Sequence, residues 1–215
     1  MKTVLQIVLW IACIGLGYLI YDSVNAPIEF DNTKKERYAA VISKLKDIKN
    51  AQEAHKKTKG VYAGNFKNLI NFIETGNYVI TQQRDTSYTR FNKDFGIDEV
   101  VEERLIDTLG FVPVKDSLFK GDNRFKTLMN IPFTENKQFS ISAGTIEKSN
   151  FKASVFEVKA SKDEILFDQP KDLLKREKLL ESVDEVNGEF ITLGSMEEVS
   201  TNGNWPAIYD RRGDN

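Results

Sequence analysis

Residues 3–21 of the chain read TVLQIVLWIACIGLGYLIY, a run of nineteen residues without a charged side chain. A helix rises about 1.5 Å per residue, so a helix of this length just crosses a hydrocarbon core about 30 Å thick. In lipid, a single segment can satisfy its backbone hydrogen bonds only as a helix. We therefore predict a retained transmembrane anchor and linker over residues 1–27, ended by Asp22 and Pro27, and one further domain over residues 28–215.

Two other interpretations of this N-terminal stretch fit its residues less well. A cleaved signal peptide ends in a small-x-small site, and the nearest such site, Val24–Ala26, would leave Pro27 directly after the cut. A lipoprotein signal places small residues before its cysteine, whereas Trp10–Ala12 precede Cys13 and the apolar run continues past it. We therefore expect the anchor to stay on the chain.

The charges that flank the apolar run give little information on its orientation. Lys2 is the only charged side chain before it, and Lys34 and Lys35 follow at the limit of the range in which such charges influence topology. Long domains cross the membrane largely regardless of flanking charge. We expect a single-pass protein of the bacterial inner membrane whose bulk lies outside the cytoplasm, in the periplasm.

The composition excludes some classes of partner. The 215 residues include 30 basic and 32 acidic side chains, for a formal net charge of −2, so no basic excess indicates binding to nucleic acid. Cys13 is the single cysteine and lies in the apolar run, which leaves the following domain without disulfides or thiol chemistry. This usage is typical of a bacterial periplasm or a cytoplasm rather than of a secreted eukaryotic domain.

An amphipathic helix is predicted from Thr33 to Lys59. Apolar side chains recur there at steps of three and four residues on an otherwise charged segment. Glu36 follows Thr33 with the spacing of a capping box, and Gly60 is a C-terminal stop signal. We expect the apolar face to pack on the chain's own sheet or on the helix of a neighbouring copy. The candidate packing or assembly face consists of Tyr38, Val41, Leu45 and Ile48.

The rest of the domain reads as helices followed by strands. A second helix is predicted over about 65–75 and a third over Asp98–Leu109, where apolar residues repeat every four positions. The later predicted elements are strands over 111–114, 138–147, 151–160 (with a bulge near Val155 and Phe156) and 165–167, a helix opened by Pro170, and a last strand over Glu189–Leu193. This order predicts an α+β fold, in which an N-terminal transmembrane helix is followed by an amphipathic helix packed on a small antiparallel sheet. Its helical part covers about 31–110, its sheet part about 111–200, and the C-terminal tail is loop-like.

Two small groups of residues are candidate contact sites. Cys13 and Gly17 form a small-xxx-small pair that would let another membrane helix approach closely, although small residues are also simply common in such helices. Trp205 and Tyr209 lie in a loop rich in glycine and asparagine. These aromatic side chains are either anchors for a partner or residues that pack back onto the edge of the sheet.

No pattern in the sequence indicates catalysis, a metal or a cofactor. His55 is the only histidine and has no thiol or second histidine to complete a metal site, so we expect it to be a half-packed residue at a helix end. The adjacent acidic pairs, such as Glu102–Glu103, are typical of solvated surfaces, and neither a Gly-x-Ser-x-Gly motif nor a glycine-rich phosphate loop is present. We expect a protein that is not an enzyme, with no evident small-molecule substrate.

The run LKDIKNAQEAHKKTKGVY at residues 45–62 resembles the early part of type IV pilins and of type II secretion pseudopilins. In those families an apolar N-terminal helix runs into an amphipathic helix, which ends in a Gly-x-Tyr-Pro turn before a small antiparallel sheet. Gly60 and Tyr62 match this turn, with Ala63 in place of the proline. The resemblance implies a pilin-like fold. The chain departs from the family in three places: residues 1–6 lack a prepilin-peptidase site, Pro27 would interrupt the helix, and Ala63 replaces the proline of the turn. The whole chain is also similar to membrane-anchored proteins of Bacteroidota.

Together these features predict a single-pass envelope protein that is a non-enzymatic assembly or scaffold component, similar to a pilin or pseudopilin. Its expected partners are the lipid bilayer and either further copies of itself or another envelope protein. The alternative is an anchored extracytoplasmic binding module that holds a peptide, a glycan or an envelope protein.

Overall fold

The computed structural model of the chain describes residues 2–92, 96–148 and 151–210. They form an α+β fold with a long N-terminal helix and two small antiparallel sheets. In chain order the elements are α1 (Lys2–Lys59), α2 (Phe66–Thr75), β1 (Asn77–Asn92), β2 (Ile97–Pro113), α3 (Val114–Phe119), a 3₁₀ turn (Arg124–Thr127), β3 (Ser140–Lys148), β4 (Phe151–Ser161), α4 (Lys162–Ile165), α5 (Lys171–Leu179), β5 (Phe190–Gly194) and a second 3₁₀ turn (Ala207–Tyr209).

Helix α1 is continuous over 58 residues and contains Pro27. The predicted interruption at Pro27 and the predicted new start near Thr33 are therefore wrong. Proline removes one backbone donor and crowds the preceding turn, but a full break would leave the several end groups of two helices unpaired. A continuous helix also needs to be nucleated only once, whereas two separate helices would each carry the free-energy cost of nucleation. At about 1.5 Å per residue, α1 is about 87 Å long.

The C-terminal half of α1 supplies the centre of the core. Its buried stripe repeats at helical spacing, as the amphipathic pattern predicts, and contains Phe30, Tyr38, Val41, Ile42, Leu45, Ile48, Ala51 and Ala54. The turn after the helix packs on the second sheet, since the rings of Tyr62 and Phe156 lie 4.5 Å apart. Gln52 fixes this turn, because its side chain both donates to the carbonyl of Ala63 and accepts from the amide of Ala63, each at 2.8 Å.

Strands β3, β4 and β5 form an antiparallel sheet in which β4 is central. β4 is buried on both faces, with Val155 on one and Phe156 on the other. Its pairing with β3 runs from Ser140 opposite Lys159 to Lys148 opposite Phe151 without a change of register. The predicted bulge near Val155 and Phe156 is wrong, because two buried faces, rather than an extra residue, explain why consecutive positions are apolar.

Residues 165–167 do not form the predicted strand. Ser161 ends β4 and caps α4, and its hydroxyl accepts from the amide of Asp163 at 3.2 Å. The Ser-x-x-Glu spacing of Ser161 and Glu164 is the signal that predicts this helix start. The predictions for α2, α5 and β5 are confirmed: Asn65 caps α2, Pro170 precedes the first residue of α5, and β5 follows the turn at Gly188.

Strands β1 and β2 pair along almost their whole length, and residues 98–109 lie in β2. The predicted third helix over Asp98–Leu109 is therefore wrong, and the region predicted as helical contains a sheet. The four-residue repeat of apolar side chains imitates a helix, but sixteen cross-strand pairs with β1 decide the conformation. The ladder contains one irregularity between Ile80 and Thr81, where Leu109 is the extra residue of β2.

Candidate interaction surfaces

The first half of α1 is an exposed apolar rod. Every residue from Lys2 to Val24 is exposed, and apolar side chains such as Trp10 and Ile14 keep 71% and 70% of their surface accessible. Within the described part of the chain, α1 is the one helix long and apolar enough to cross a membrane, with a mean hydropathy of 2.2 over 18 residues. This half of the helix is compatible with a single-pass membrane anchor.

Cys13 and Gly17 lie on this exposed rod. They are four residues apart and so share one face of the helix. A Cβ atom added at Gly15 or Gly17 would meet no atom within 4 Å, so the backbone there is open to close approach by another helix. That a second helix occupies this face stays a prediction.

The predicted packing face lies inside the chain's own domain. Tyr38, Val41, Leu45 and Ile48 have no exposed surface and belong to the hydrophobic core. Of the two arrangements expected for this face, the structure has the packing within one chain. A neighbouring copy could reach these side chains only if the domain opened.

A buried ionic cluster joins α1 to the C-terminal half of the domain. The Glu177 carboxylate accepts from Lys34 Nζ at 3.1 Å, from Lys162 Nζ at 3.0 Å and from the Tyr38 hydroxyl at 3.3 Å. Lys162 Nζ also donates to the carbonyls of Glu177 at 3.2 Å and of Val186 at 2.6 Å. Lys162 is fully buried and Lys34 is 3% exposed. The cluster therefore fixes α5 and the following loop on α1.

The surroundings change the pKa of Lys34, Tyr38 and Lys162. Burial opposes the charge on Lys34, but its hydrogen bond and attraction to Glu177, together with Glu185 and Asp31, outweigh burial and raise its pKa. Burial, with Glu177 beside the hydroxyl, raises the pKa of Tyr38. Burial lowers the pKa of Lys162 against the opposing effect of Glu177. The three protons of the Lys162 ammonium match three acceptors, so this lysine is a satisfied donor rather than a free nucleophile.

The sequence contains one weak signal of this cluster. Lys34 lies four residues before Tyr38 on the apolar stripe of α1, where a charged side chain must find a buried partner. Nothing in the residues around Lys162 or Glu177 marks them as partners, because they are distant in sequence. Every buried side-chain nitrogen and oxygen of the described residues has a hydrogen-bond partner, so the cluster leaves no unpaired group for a ligand.

His55 is held in place at the end of α1, as expected. Its Nδ1 lies 2.6 Å from the carbonyl oxygen of Val61, and its ring contacts Phe72 edge-on with centroids 4.9 Å apart. These contacts connect the helix end to the following turn and to α2. Among the described residues, no group of three or more His, Cys, Asp or Glu side chains could hold a metal ion.

The loop that carries Trp205 and Tyr209 packs on the domain. Tyr209 is 8% exposed and belongs to the core, and its carbonyl accepts from Lys46 Nζ at 2.8 Å. Trp205 is half-buried, and its Nε1 donates to Asp210 at 3.1 Å. Trp205 also borders an open groove of about 570 Å³. The other residues that line the groove are Lys46, Lys49, Asn50, Asn202, Gly203, Ala207 and Asp210.

A second exposed surface outside the N-terminal rod is the β1–β2 hairpin, which sequence reasoning missed. Within the described chain its sheet has two strands only, so both outer edges are unpaired. The hairpin carries many exposed apolar side chains: Val79, Ile80, Tyr88, Phe91, Ile97, Val100, Leu105, Ile106, Leu109 and Phe111. The β-branched residues of this region, Val100 among them, are the sequence signal that favours strands.

Comparison of the chain with protein-family models, with curated proteins and with solved structures gives no match in any of the three. The class of protein is therefore defined by the fold and its surfaces. It is an α+β protein with one N-terminal helix able to span a membrane.

Proposed function

We propose that the chain is a single-pass, membrane-anchored component of the bacterial envelope that acts as a non-enzymatic scaffold or assembly subunit, with its domain in the periplasm. One observation carries this proposal: the exposed apolar half and the buried amphipathic half of α1 are parts of one uninterrupted helix. A helix that continues from the membrane into a folded core holds that core at a defined height and direction. This is the property a scaffold requires.

The anchor also changes how copies meet. Proteins confined to one membrane move in two dimensions, which raises their effective concentration for one another. The exposed face at Cys13 and Gly17 is one surface through which two anchors would pack. The buried face around Leu45 is not such a surface, because the domain itself covers it.

A pilin-like or pseudopilin-like layout is part of the proposal. The features that support it are the apolar helix continuing into an amphipathic one, the turn at Gly60 and Tyr62, and the three-stranded antiparallel sheet beyond it. Helix α1 passes through Pro27, which removes one of the three departures from that family. The missing prepilin-peptidase site remains, so we propose assembly without that cleavage.

Membrane topology and processing are tested together. A periplasm-active reporter fused to the C-terminus of the full chain is expected to be active, and the mass of the membrane-extracted protein is expected to include residues 1–30. An inactive reporter would place the domain in the cytoplasm and contradict the envelope proposal. A cut within the first thirty residues would contradict a permanent anchor.

Self-association is tested with the chain's own cysteine. Mild oxidation of membranes that contain the full chain is expected to give a Cys13-linked dimer, because Cys13 lies on the proposed contact face. The matched control moves the thiol by one position, with Cys13→Ala and Ala12→Cys, which turns it about 100° around the helix. Equal crosslinking in both proteins would indicate random collision rather than a specific face.

The groove beside Trp205 favours a second candidate function, an anchored binding module for a peptide, a glycan or an envelope protein. Aromatic, amide and lysine side chains meet there at an open surface, as they do in many recognition sites. Under this alternative the chain stays monomeric and co-purifies with a different envelope protein. Trp205→Ala is then expected to abolish that co-purification, whereas Val183→Ala, at a side chain 93% exposed elsewhere, leaves it unchanged.

A further inference from the structure

The two outer edges of the β1–β2 hairpin are long and uncovered. Each strand has sixteen or seventeen residues, and the outward-facing backbone groups of each have no partner strand in the described chain. Such an edge is a template for a further strand unless bulges, prolines or repelling charges block it. Here the one irregularity and the single proline, Pro113, both lie near the base of the hairpin, so the outer two thirds of each edge is open to pairing.

The charges of the two strands are unequal and complementary. β2 carries five acidic residues and one arginine, whereas β1 carries two arginines and one acidic residue. Two β2 edges placed together would set acidic residues against acidic residues, which is destabilising across a ladder. An edge formed by β1 of one copy and β2 of another brings opposite charges together. Charge therefore favours unlike edges over like edges.

The register inside the hairpin shows that such an arrangement satisfies its side chains. Asp85 lies opposite Arg104, and the two form an ion pair at 3.2 Å, while Arg84 pairs with Asp107. If a second hairpin is added beside the first in the same direction and at the same height, its β1 lies antiparallel to the first β2. Arg104 then lies between two aspartates, and Arg84 of the added copy lies beside Asp107 and Glu103. Phe111, which lies opposite Val79 of its own chain, would likewise lie beside Val79 of the added copy.

We propose that the hairpins of neighbouring copies join edge to edge, β1 of one chain on β2 of the next, into a continuous antiparallel sheet along the membrane. This interface rests on the proposed scaffold function and names its partner, a second copy of this chain. Anchors inserted in one membrane present all hairpins in the same orientation, which this pairing requires. Because the contact is between unlike edges, it does not close on itself as a two-fold dimer does, and it produces an open row of copies.

The test uses two differently tagged forms of the full chain, co-expressed in a background where Cys13 is changed to serine. One form carries Thr89→Cys in β1 and the other carries Val100→Cys in β2, positions that lie opposite each other within the hairpin and are both exposed. Oxidation of the membranes is expected to give a mixed-tag disulfide at least fivefold above either same-tag product. A same-tag product as strong as the mixed one would indicate pairing of like edges and would overturn the proposal.

A charge variant checks the physical basis of the contact. Glu102→Lys with Glu103→Lys is expected to lower the mixed crosslink at least fivefold, because β2 then has three acidic and three basic residues and loses the net negative charge that complements β1. The matched control is Glu197→Lys with Glu198→Lys, which makes the same change at two adjacent exposed residues in a loop outside the hairpin and is expected to leave the crosslink unchanged. An equal loss in both variants would show a general charge effect and contradict the assigned edge.

Failure of this interface and failure of the scaffold function are distinguishable. If Cys13 crosslinks copies in the otherwise unchanged chain but the Thr89→Cys and Val100→Cys forms do not join, the hairpin interface is wrong and the scaffold proposal stands. If neither experiment joins copies, both are wrong. A crosslink from the hairpin to a different envelope protein instead would overturn the self-pairing proposal and support the binding-module alternative.

Discussion

Glu177 joins α5 to α1 through buried hydrogen bonds with Lys34 and Tyr38. Replacing a buried ion-pair partner leaves its counter-charges buried without compensation, which typically costs about 3–5 kcal/mol. We expect Glu177→Gln to lower the free energy of unfolding toward the low end of that range, because Lys34 retains Glu185 and Asp31. Denaturant titration of the full chain in detergent micelles measures this.

The matched control for Glu177 is Glu147, whose exposed pair with Lys152 has a separation of 3.9 Å. Exposed pairs contribute about 0–1 kcal/mol, so Glu147→Gln is expected to leave the unfolding curve nearly unchanged. Equal effects of the two substitutions would contradict the view that burial makes the Glu177 cluster important.

Asp168 makes the stability of the fold depend on pH in the acidic range. The hydrogen bonds from Arg37 lower the pKa of this carboxyl from 3.8 to about 2. A carboxyl whose pKa is lower in the folded state adds stability above its unfolded pKa, and that stability is lost as the pH falls through the folded value. We expect wild type to lose more stability between pH 4 and pH 2 than Asp168→Asn does, as measured by thermal unfolding.

The size of this effect is expected to be small, because the Asp168 side chain is 43% exposed and solvent screens the pair. Parallel loss of stability in wild type and Asp168→Asn over that pH range would contradict the assigned role of Arg37. Lys178→Ala is a suitable control, since Lys178 pairs with a different carboxylate, Asp163.

At the scale of single elements, the buried stripe of α1 is the part of the fold most sensitive to substitution. Leu45 has no exposed surface, and truncation of such a leucine typically costs about 2–5 kcal/mol. Leu45→Ala is therefore expected to lower the unfolding midpoint strongly, whereas Ser43→Ala, exposed on the same helix, is expected to change it little. Chemical denaturation followed by circular dichroism measures both.

The continuity of α1 through Pro27 is measurable as a distance. Spin labels at Asp22 and Ser43, two exposed positions in the Cys13→Ser background, lie twenty-one residues apart, or about 32 Å in an unbroken helix. Labels at Ser43 and Lys57 lie about 21 Å apart on one side of the proline. The width of their distance distribution is the reference for an unbroken helix. A distribution across Pro27 that is much shorter or much broader than the reference would show a hinge.

The elements that sequence reasoning predicts correctly are those whose signals are local. Asn65 caps α2, Pro170 opens α5 and the stripe of α1 has helical spacing, so each can be recognised within a few residues. The errors at residues 98–109 and at Pro27 have one physical source. Residues 98–109 form a strand because β1 pairs with them, and Pro27 stays helical because long helical segments flank it on both sides. Neither effect can be recognised from the few residues around each position.

At the scale of the whole molecule, α1 is the common contact of segments that are far apart in sequence. Four of its basic side chains each hold a different segment: Lys34 binds Glu177, Arg37 binds the carbonyl of Ile165, Lys44 the carbonyls of Thr127 and Asn130, and Lys46 the carbonyl of Tyr209. These partners lie 83 to 163 positions away. Sequence reasoning found the apolar face of α1 but not these contacts, because the residues around a lysine in a charged helix do not indicate which distant group accepts its hydrogen bonds.

Stability is expected to be unevenly distributed over the molecule. The outer part of the β1–β2 hairpin has two strands and exposed faces, and isolated two-strand ribbons are marginal in water. Hydrogen exchange of the detergent-solubilised, monomeric chain is therefore expected to be fast over 82–91 and slow over 155–160, where β4 is buried. Equal protection of the two strands would show that something stabilises the hairpin even in a single copy.

Because α1 is unbroken, any tilt of its apolar N-terminal half also tilts the domain by the same angle. The helix extends thirty-eight residues from Tyr21 to Lys59, about 57 Å at about 1.5 Å per residue. Membrane helices tilt by about 20° on average, and a tilt of that size moves the far end of α1 sideways by about 20 Å relative to an upright helix. A thinner bilayer demands more tilt from the same apolar run. In the proposed membrane assembly, helix α1 would act as a lever, through which membrane thickness would set how far the hairpin reaches toward neighbouring copies.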